Sequence, residues 1–394
     1  LLPGPEAQQL ATYVGWLLHG TRGGLVAGGL FVLPGFLAIL LLSLLYAGFQ
    51  DLPLLKALFF GIKAAVLAVV VDAVLRIGRR ALKNGAMIAI AVAAFAAIHF
   101  ADVPFPLIVV SAALLGLLGY RLDPRRFEVI RGHAASGAKT SPDIDRLIDD
   151  GHLQAPPALA RSLQVTLFWS TLWLLPVAVL LAWLGPDDVF TQIGLFFSKL
   201  AVVTFGGAYA VLAYVAQQAV EHYGWLAPGE MLDGLGMAET TPGPLIMVLQ
   251  FVAFLAAFRE STGLDPYLAG VLASLLATWV TFVPCFLWIF LGAPYVERLR
   301  EQHALNAALS AVTAAVVGII LNLGVWFAMH TLFAEVTTRQ AFGLRLQVPT
   351  LASIDPLAAL LALAAAIALL RFKLGLFAVL GGCAVLGSVA YLLR

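Results

Sequence analysis

Apolar residues run through this chain in long blocks separated by short polar breaks, and the blocks have the length of helices. Helical spans are predicted near 5–18, 24–48, 54–78, 81–100, 104–120, 163–184, 190–220, 242–260, 265–292, 303–331, 355–371 and 373–393. Most are long enough to cross a hydrocarbon core that needs roughly 20 helical residues. The first is short and enters only part of the way, and 228–239 reads as a short re-entrant helix. No segment is read as the apolar/polar alternation of barrel strands. The predicted class is therefore an all-α polytopic membrane protein.

One polar stretch, 121–161, breaks the pattern and reads as a linker between two membrane halves. The basic residues then fix an orientation, because loops on the cytoplasmic side carry the excess of Lys and Arg. With the linker in the cytoplasm, sixteen basic residues fall on that side. They are Arg22, Arg76, Arg79, Arg80, Lys83, seven linker residues, Arg298, Arg300, Arg371 and Lys373. Only Arg259, Arg339, Arg345 and Arg394 fall on the other, which puts the C-terminus outside. The expected location is a bacterial inner membrane. Composition agrees: of 394 residues, 61% are hydrophobic and 11% charged, against about 25% charged in soluble domains. A net charge of +1 gives no electrostatic case for a nucleic-acid partner. Cys285 and Cys383 form no CxxC pair, so neither a metal nor a cofactor is expected.

The halves echo each other. Pro3-Gly4-Pro5 matches Pro242-Gly243-Pro244, and Phe31-Val32-Leu33-Pro34 matches Thr281-Phe282-Val283-Pro284. Residues 56–72 align without gaps on 306–322, and Tyr120 and Tyr391 close the two copies. The expected organisation is a first repeat at 1–120 lacking its first helix, a cytoplasmic linker at 121–161, an extra inverting helix at 162–189 and a second repeat at 190–394. The extra helix makes the copies antiparallel. Inverted repeats with broken helices meeting near the midplane are a transporter design. The rival from another class is a duplicated membrane scaffold without substrate. The second copy has about 45 residues before its Pro-Gly-Pro that the first lacks, so the chain is expected to be an N-terminally truncated fragment.

The repeated motif carries chemistry. In Thr240-Thr241-Pro242-Gly243-Pro244 the threonines suit an N-cap and proline suits a first helical turn. A helix start of this kind presents free N–H groups and a positive dipole end, which together favour an anion. Irregular backbone at membrane depth is tolerated only inside protein or along a water-filled cavity. Phe205-Gly206-Gly207 interrupts another predicted span, either as a packing kink or as a second piece of exposed backbone. Lys63 and Lys199 lie within apolar segments, where they either reach an anion or snorkel to the interface. Glu6 and Glu239 flank the two motifs as proton carriers or as capping charges. No HExxH, GxSxG or phosphate loop occurs, so no catalytic residue is expected.

At LLPGPEAQQLATYVGW (1–16), FGGAYAVLAYV (205–215) and ETTPGPLIMVLQFVAF (239–254), and at 225–230, the chain resembles the chromate ion transporter family in its long, two-domain form. The resemblance implies chemiosmotic efflux of chromate, and thereby chromate resistance, with sulfate or another oxyanion as the alternative substrate. The candidate substrate contacts are Pro3, Gly4, Pro5, Gln8 and Gln9, then Phe205, Gly206 and Gly207, and Thr240, Thr241, Pro242, Gly243 and Pro244. Lys63 and Lys199 complete that set, with Glu6 and Glu239 as proton candidates. The lipid bilayer is the other partner, and a homo-oligomer is compatible with the sequence. The family's first-half Phe-Gly-Gly-Pro-like segment is absent.

Overall fold

The computed structural model describes residues 4–127, 159–204, 207–260, 263–293, 302–341 and 344–393. Pro3, most of the linker, Phe205, Gly206, Arg298, Arg300 and Arg394 lie outside them. Among the described residues the fold is helical: α1 (Glu6–Phe49), α2 (Pro53–Ala81), α3 (Gly85–Ala101), α4 (Phe105–Leu122), α5 (Leu159–Leu184), α6 (Val189–Val203), α7 (Ala208–Ala216), α8 (Pro228–Thr240), α9 (Val248–Glu260), α10 (Pro266–Gly292), α11 (His303–Leu332), α12 (Pro356–Leu370) and α13 (Leu376–Leu392). Six of these are long and apolar enough to cross a membrane. Exposed Leu10, Leu30, Leu37, Val92, Leu107 and Leu360 give the bundle an oily exterior, as expected of a multi-pass membrane protein.

Local chemistry sets the helix starts. Pro53, Pro228, Pro266 and Pro356 occupy first helical positions, where the missing N–H costs nothing. Asp188, Asp265 and Asp355 accept from free amides of α6, α10 and α12, and Asn84 does so for α3.

The long helices α2 and α11 lie antiparallel at the centre. Gly78 meets Val317 and Gly324 meets Val70. α13 packs on α2, with Gly387 against Gly61 and Gly61 against the Cys383 carbonyl. α4 packs on α11, with Gly116 against Ala307, Ala308 and Ala311. Small residues let backbones approach in lipid, where no hydrophobic drive joins helices.

Three hairpins shape the bundle: the first turns in the gap expected between 5–18 and 24–48, and the other two fall where 190–220 and 242–260 were expected to span. α1 breaks at His19 and Gly20, where φ is +61°. Its arms lie side by side, with Gly15 on Gly23 and Gln8 and Thr12 on Gly28. The second arm continues antiparallel to α10, Gly24 meeting Phe290 and Gly48 meeting Tyr267. The predicted 190–220 span is a hairpin of α6 and α7. Phe196 and Tyr214 sit nine residues either side of position 205, yet their ring centroids are 5.7 Å apart. The predicted 242–260 span is the second arm of a hairpin with α8: Gly234 meets Phe251, and Arg259 reaches back to Glu230. At 15, 13 and 13 residues, α6, α8 and α9 are each about 20 Å long, short of a core of about 30 Å.

A β-hairpin, β1 (Val336–Ala341) with β2 (Leu344–Pro349), stands between α11 and α12. The sequence reading missed it. Leu344-Arg345-Leu346-Gln347-Val348 does alternate, but only across one strand of six residues.

Candidate functional site

Three helix starts follow a glycine at positive φ, two of them at the turns of the α6–α7 and α8–α9 hairpins: Gly4 (+111°) precedes α1, Gly207 (+101°) precedes α7, and Gly243 (+124°) precedes the single 3-10 turn that leads into α9. Side chains rarely adopt such angles, so glycine is the natural residue there. Gly4 N–H donates to the Thr204 carbonyl at 3.0 Å, tying the first Pro-Gly-Pro to the α6–α7 turn. A Cβ on Gly4 would stand 3.0 Å from Cys285 Sγ, and one on Gly243 would stand 2.9 Å from Gly35 Cα. Cys285 and Gly35 each follow the proline inside α10 and α1. Glu239 adds a carboxylate at the second reversal, accepting from Tyr209 Oη of α7 at 2.5 Å.

The polar groups nearby are incompletely paired. Gln8 is fully buried, and among the described residues neither its Oε1 nor its Nε2 has a partner. Gln250 donates to the Phe36 carbonyl at 3.0 Å, but its Oε1 is unpartnered, as is Thr281 Oγ1. A buried orphan costs roughly 1–3 kcal/mol, so such a cluster is kept for a reason other than packing. Gln9 is buried beside Gly4.

The other expected site residues lie elsewhere or act differently. Thr240 and Thr241 do not cap the following helix. Their hydroxyls donate back to carbonyls at the end of α8, Thr240 to Met237 at 2.9 Å and Thr241 to Ala238 at 3.3 Å. Lys199 is exposed on α6, and Glu6 is exposed in the first turn of α1, whereas Gln8 and Gln9 are buried. Lys63 is away from the reversals and pairs with Asp233 at 3.2 Å. That pair lines a separate pocket of about 380 Å³ with Tyr46, Asp51, Lys56, Glu230 and Tyr391. At its mouth, burial works to raise the Glu230 carboxyl. Hydrogen bonds from Arg259 and the Ala227 amide outweigh it and hold the group below the usual range.

The sequence profile described as "Chromate transporter" matches residues 1–117 and 191–388. The chain belongs to this family. The unmatched interval contains the linker and α5. The "Chromate transport protein" of Pseudomonas aeruginosa is 32% identical over 81% of this chain and 67% of its own length. The "Chromate transport protein" of Cupriavidus metallidurans is 27% identical over 84% and 71%. The "Probable chromate transport protein" of Synechococcus elongatus is 25% identical over 81% and 69%. No solved structure matches. The relatives are named as transport proteins, in accord with a multi-pass membrane fold.

Proposed function

We propose that this protein is a secondary transporter that carries chromate out of the cytoplasm across a bacterial inner membrane. The observation that carries the reading is a set of three glycine-led helix starts linked in a chain: Gly4 to the α6–α7 turn through Thr204, and α7 to the end of α8 through Tyr209 and Glu239. Free amides and dipole ends suit a tetrahedral dianion, and need no counter-charged side chain. The names of the relatives support chromate as that dianion. Sulfate shares the shape and charge and is the competing substrate.

The same reading makes the chain a pair of inverted repeats, 1–120 and 190–394, joined by a cytoplasmic linker and one extra helix. Support comes from contacts that recur with the halves exchanged. Under the sequence correspondence Gly35 pairs with Cys285, Gly61 with Ala311 and Gly116 with Gly387. Gly4 on Cys285 is then the counterpart of Gly243 on Gly35, and Gly116 on Ala311 of Gly387 on Gly61. Antiparallel copies of one unit supply the two faces that alternating access needs.

An inside-negative potential favours export. Each charge is worth about 2.3 kcal/mol per 100 mV, so a dianion gains roughly 4–5 kcal/mol. Everted vesicles test the proposal: labelled chromate is expected to accumulate inside on energisation, and excess sulfate to compete weakly. Accumulation of sulfate with no effect of chromate would reassign the substrate. No accumulation of either would remove the transport reading.

A further inference from the structure

The pocket around Lys63 is not explained by anion binding at the helix starts, because carboxylates line it. Asp233 is 4% exposed in the middle of α8. Its Oδ2 accepts from Tyr46 Oη of α1 at 3.0 Å. Its Oδ1 faces Lys63 Nζ of α2 at 3.2 Å without a well-directed hydrogen bond. Tyr46 is itself fixed edge-on between Phe59 and Phe251. The other charged or titratable groups around the pair are Glu230 on α8, Arg259 on α9, Asp51 and Lys56 at the start of α2, and Tyr391 on α13. Glu230 and Arg259 are spent on each other, joined at 2.5 Å and 2.9 Å. Lys56 has Asp51 at 3.1 Å. Asp233 and Lys63 therefore form the inner ion pair of a pocket whose outer charges are already matched.

A carboxylate in that position is costly unless its partners hold it. It also sits on the element that ends at the second Pro-Gly-Pro. Seven residues separate Asp233 from Thr240, about 10 Å of rigid helix. α8 is packed on α2 through Gly236 against Ile62 and Val66. The ion pair is thus a polar tie between α8 and the central helix.

We propose that Asp233 is a proton-binding site that gates α8. A proton arriving from water in the pocket converts the carboxylate to a carboxylic acid. Oδ2 still accepts from Tyr46, while the attraction to Lys63 is lost and the tie between α8 and α2 loosens. Release of the proton to water restores it. The assignment as a gate rests on the transport reading above; the proton site itself does not.

Infrared difference spectra of the purified protein against pH test the site without any substrate. A carboxylic-acid C=O band is expected to titrate in the parent and to be missing in Asp233→Asn. Lys63→Gln removes the stabilising charge, so the same band is expected to appear at a pH higher by about one unit or more. A parent spectrum unchanged by Asp233→Asn, or a band indifferent to Lys63→Gln, would overturn the proposal. Chromate counterflow in liposomes, read on the same samples, separates the two readings. Asp233→Asn is expected to exchange chromate with a flattened pH profile. Counterflow with the parental pH profile would overturn the gate. A titrating band with no counterflow in the parent would leave the proton site standing and remove chromate.

Discussion

Two kinds of glycine contact hold this molecule, and they differ in what surrounds them. At the seams of α2 with α13 and α11 with α4, Gly61, Gly387 and Gly116 lie in helical backbone against other helices, among Ala, Val and Cys. At the helix starts, Gly4, Gly207 and Gly243 have positive φ, and groups of Gln8, Gln250 and Thr281 without a partner among the described residues are buried near the Gly4 and Gly243 contacts. The seams keep regular helical backbone; the glycine-led starts combine left-handed backbone with orphaned polar groups. Strain and orphaned polar groups persist where something else requires them. The seams therefore carry stability, and the reversals the binding function proposed here.

The largest expected effect breaks the seam. Gly61→Val places a branched side chain against the Cys383 carbonyl and the Ala384 backbone. Overpacking costs about 1–3 kcal/mol, and more is expected here because backbone cannot step aside. Folded protein in the membrane should drop severalfold, read by detergent-resistant fluorescence of a tagged fusion. Normal levels would mean the seam is looser than described.

Gly243→Val sharpens the contrast from the other side. Strain at φ +124° is worth about 1–3 kcal/mol, which is about tenfold to a hundredfold in affinity if it falls on the bound state. Protein level should fall less than in Gly61→Val, while chromate transport per folded protein falls by that factor.

A smaller effect is expected at the exposed carboxylate. Glu6→Gln should leave the pH profile of transport close to parental, because the proton is assigned to Asp233. A flattened profile would return the coupling role to the first motif. Cysteines introduced at Ser136 and Leu393 change nothing in transport but test orientation. They should label from opposite faces, Cys285 and Cys383 being buried; same-face labelling would remove the inverted repeat.

Much of this was legible in the chain. Block lengths gave the helices, and the Pro-Gly-Pro pair marked two of the three glycine-led helix starts. Direction was not legible: an apolar run around Phe205-Gly206-Gly207 reads alike whether it crosses or doubles back, and only the approach of Phe196 to Tyr214 separates the two. Lys63 was noticed without its partner, because Asp233 lies 170 residues away in sequence. Asp233 did carry a signal, a lone carboxylate between Met231 and Met237 in an otherwise apolar turn, and such residues default to function. Thr240 and Thr241 were read as caps of the wrong helix, since a hydroxyl at a reversal can serve the helix that ends as well as the one that begins.

The central claim is that an oxyanion is held at the glycine-led helix starts, and chromate binding to the purified protein tests it most directly. Isothermal titration of the parent, Gly243→Val and Lys199→Gln, each checked as monodisperse, compares the reversal with an exposed cation. The account predicts saturable chromate binding in the parent, loss by about tenfold or more in Gly243→Val, and parental affinity in Lys199→Gln. Parental affinity in Gly243→Val with loss in Lys199→Gln would contradict it, placing the anion on a side-chain charge instead of the backbone.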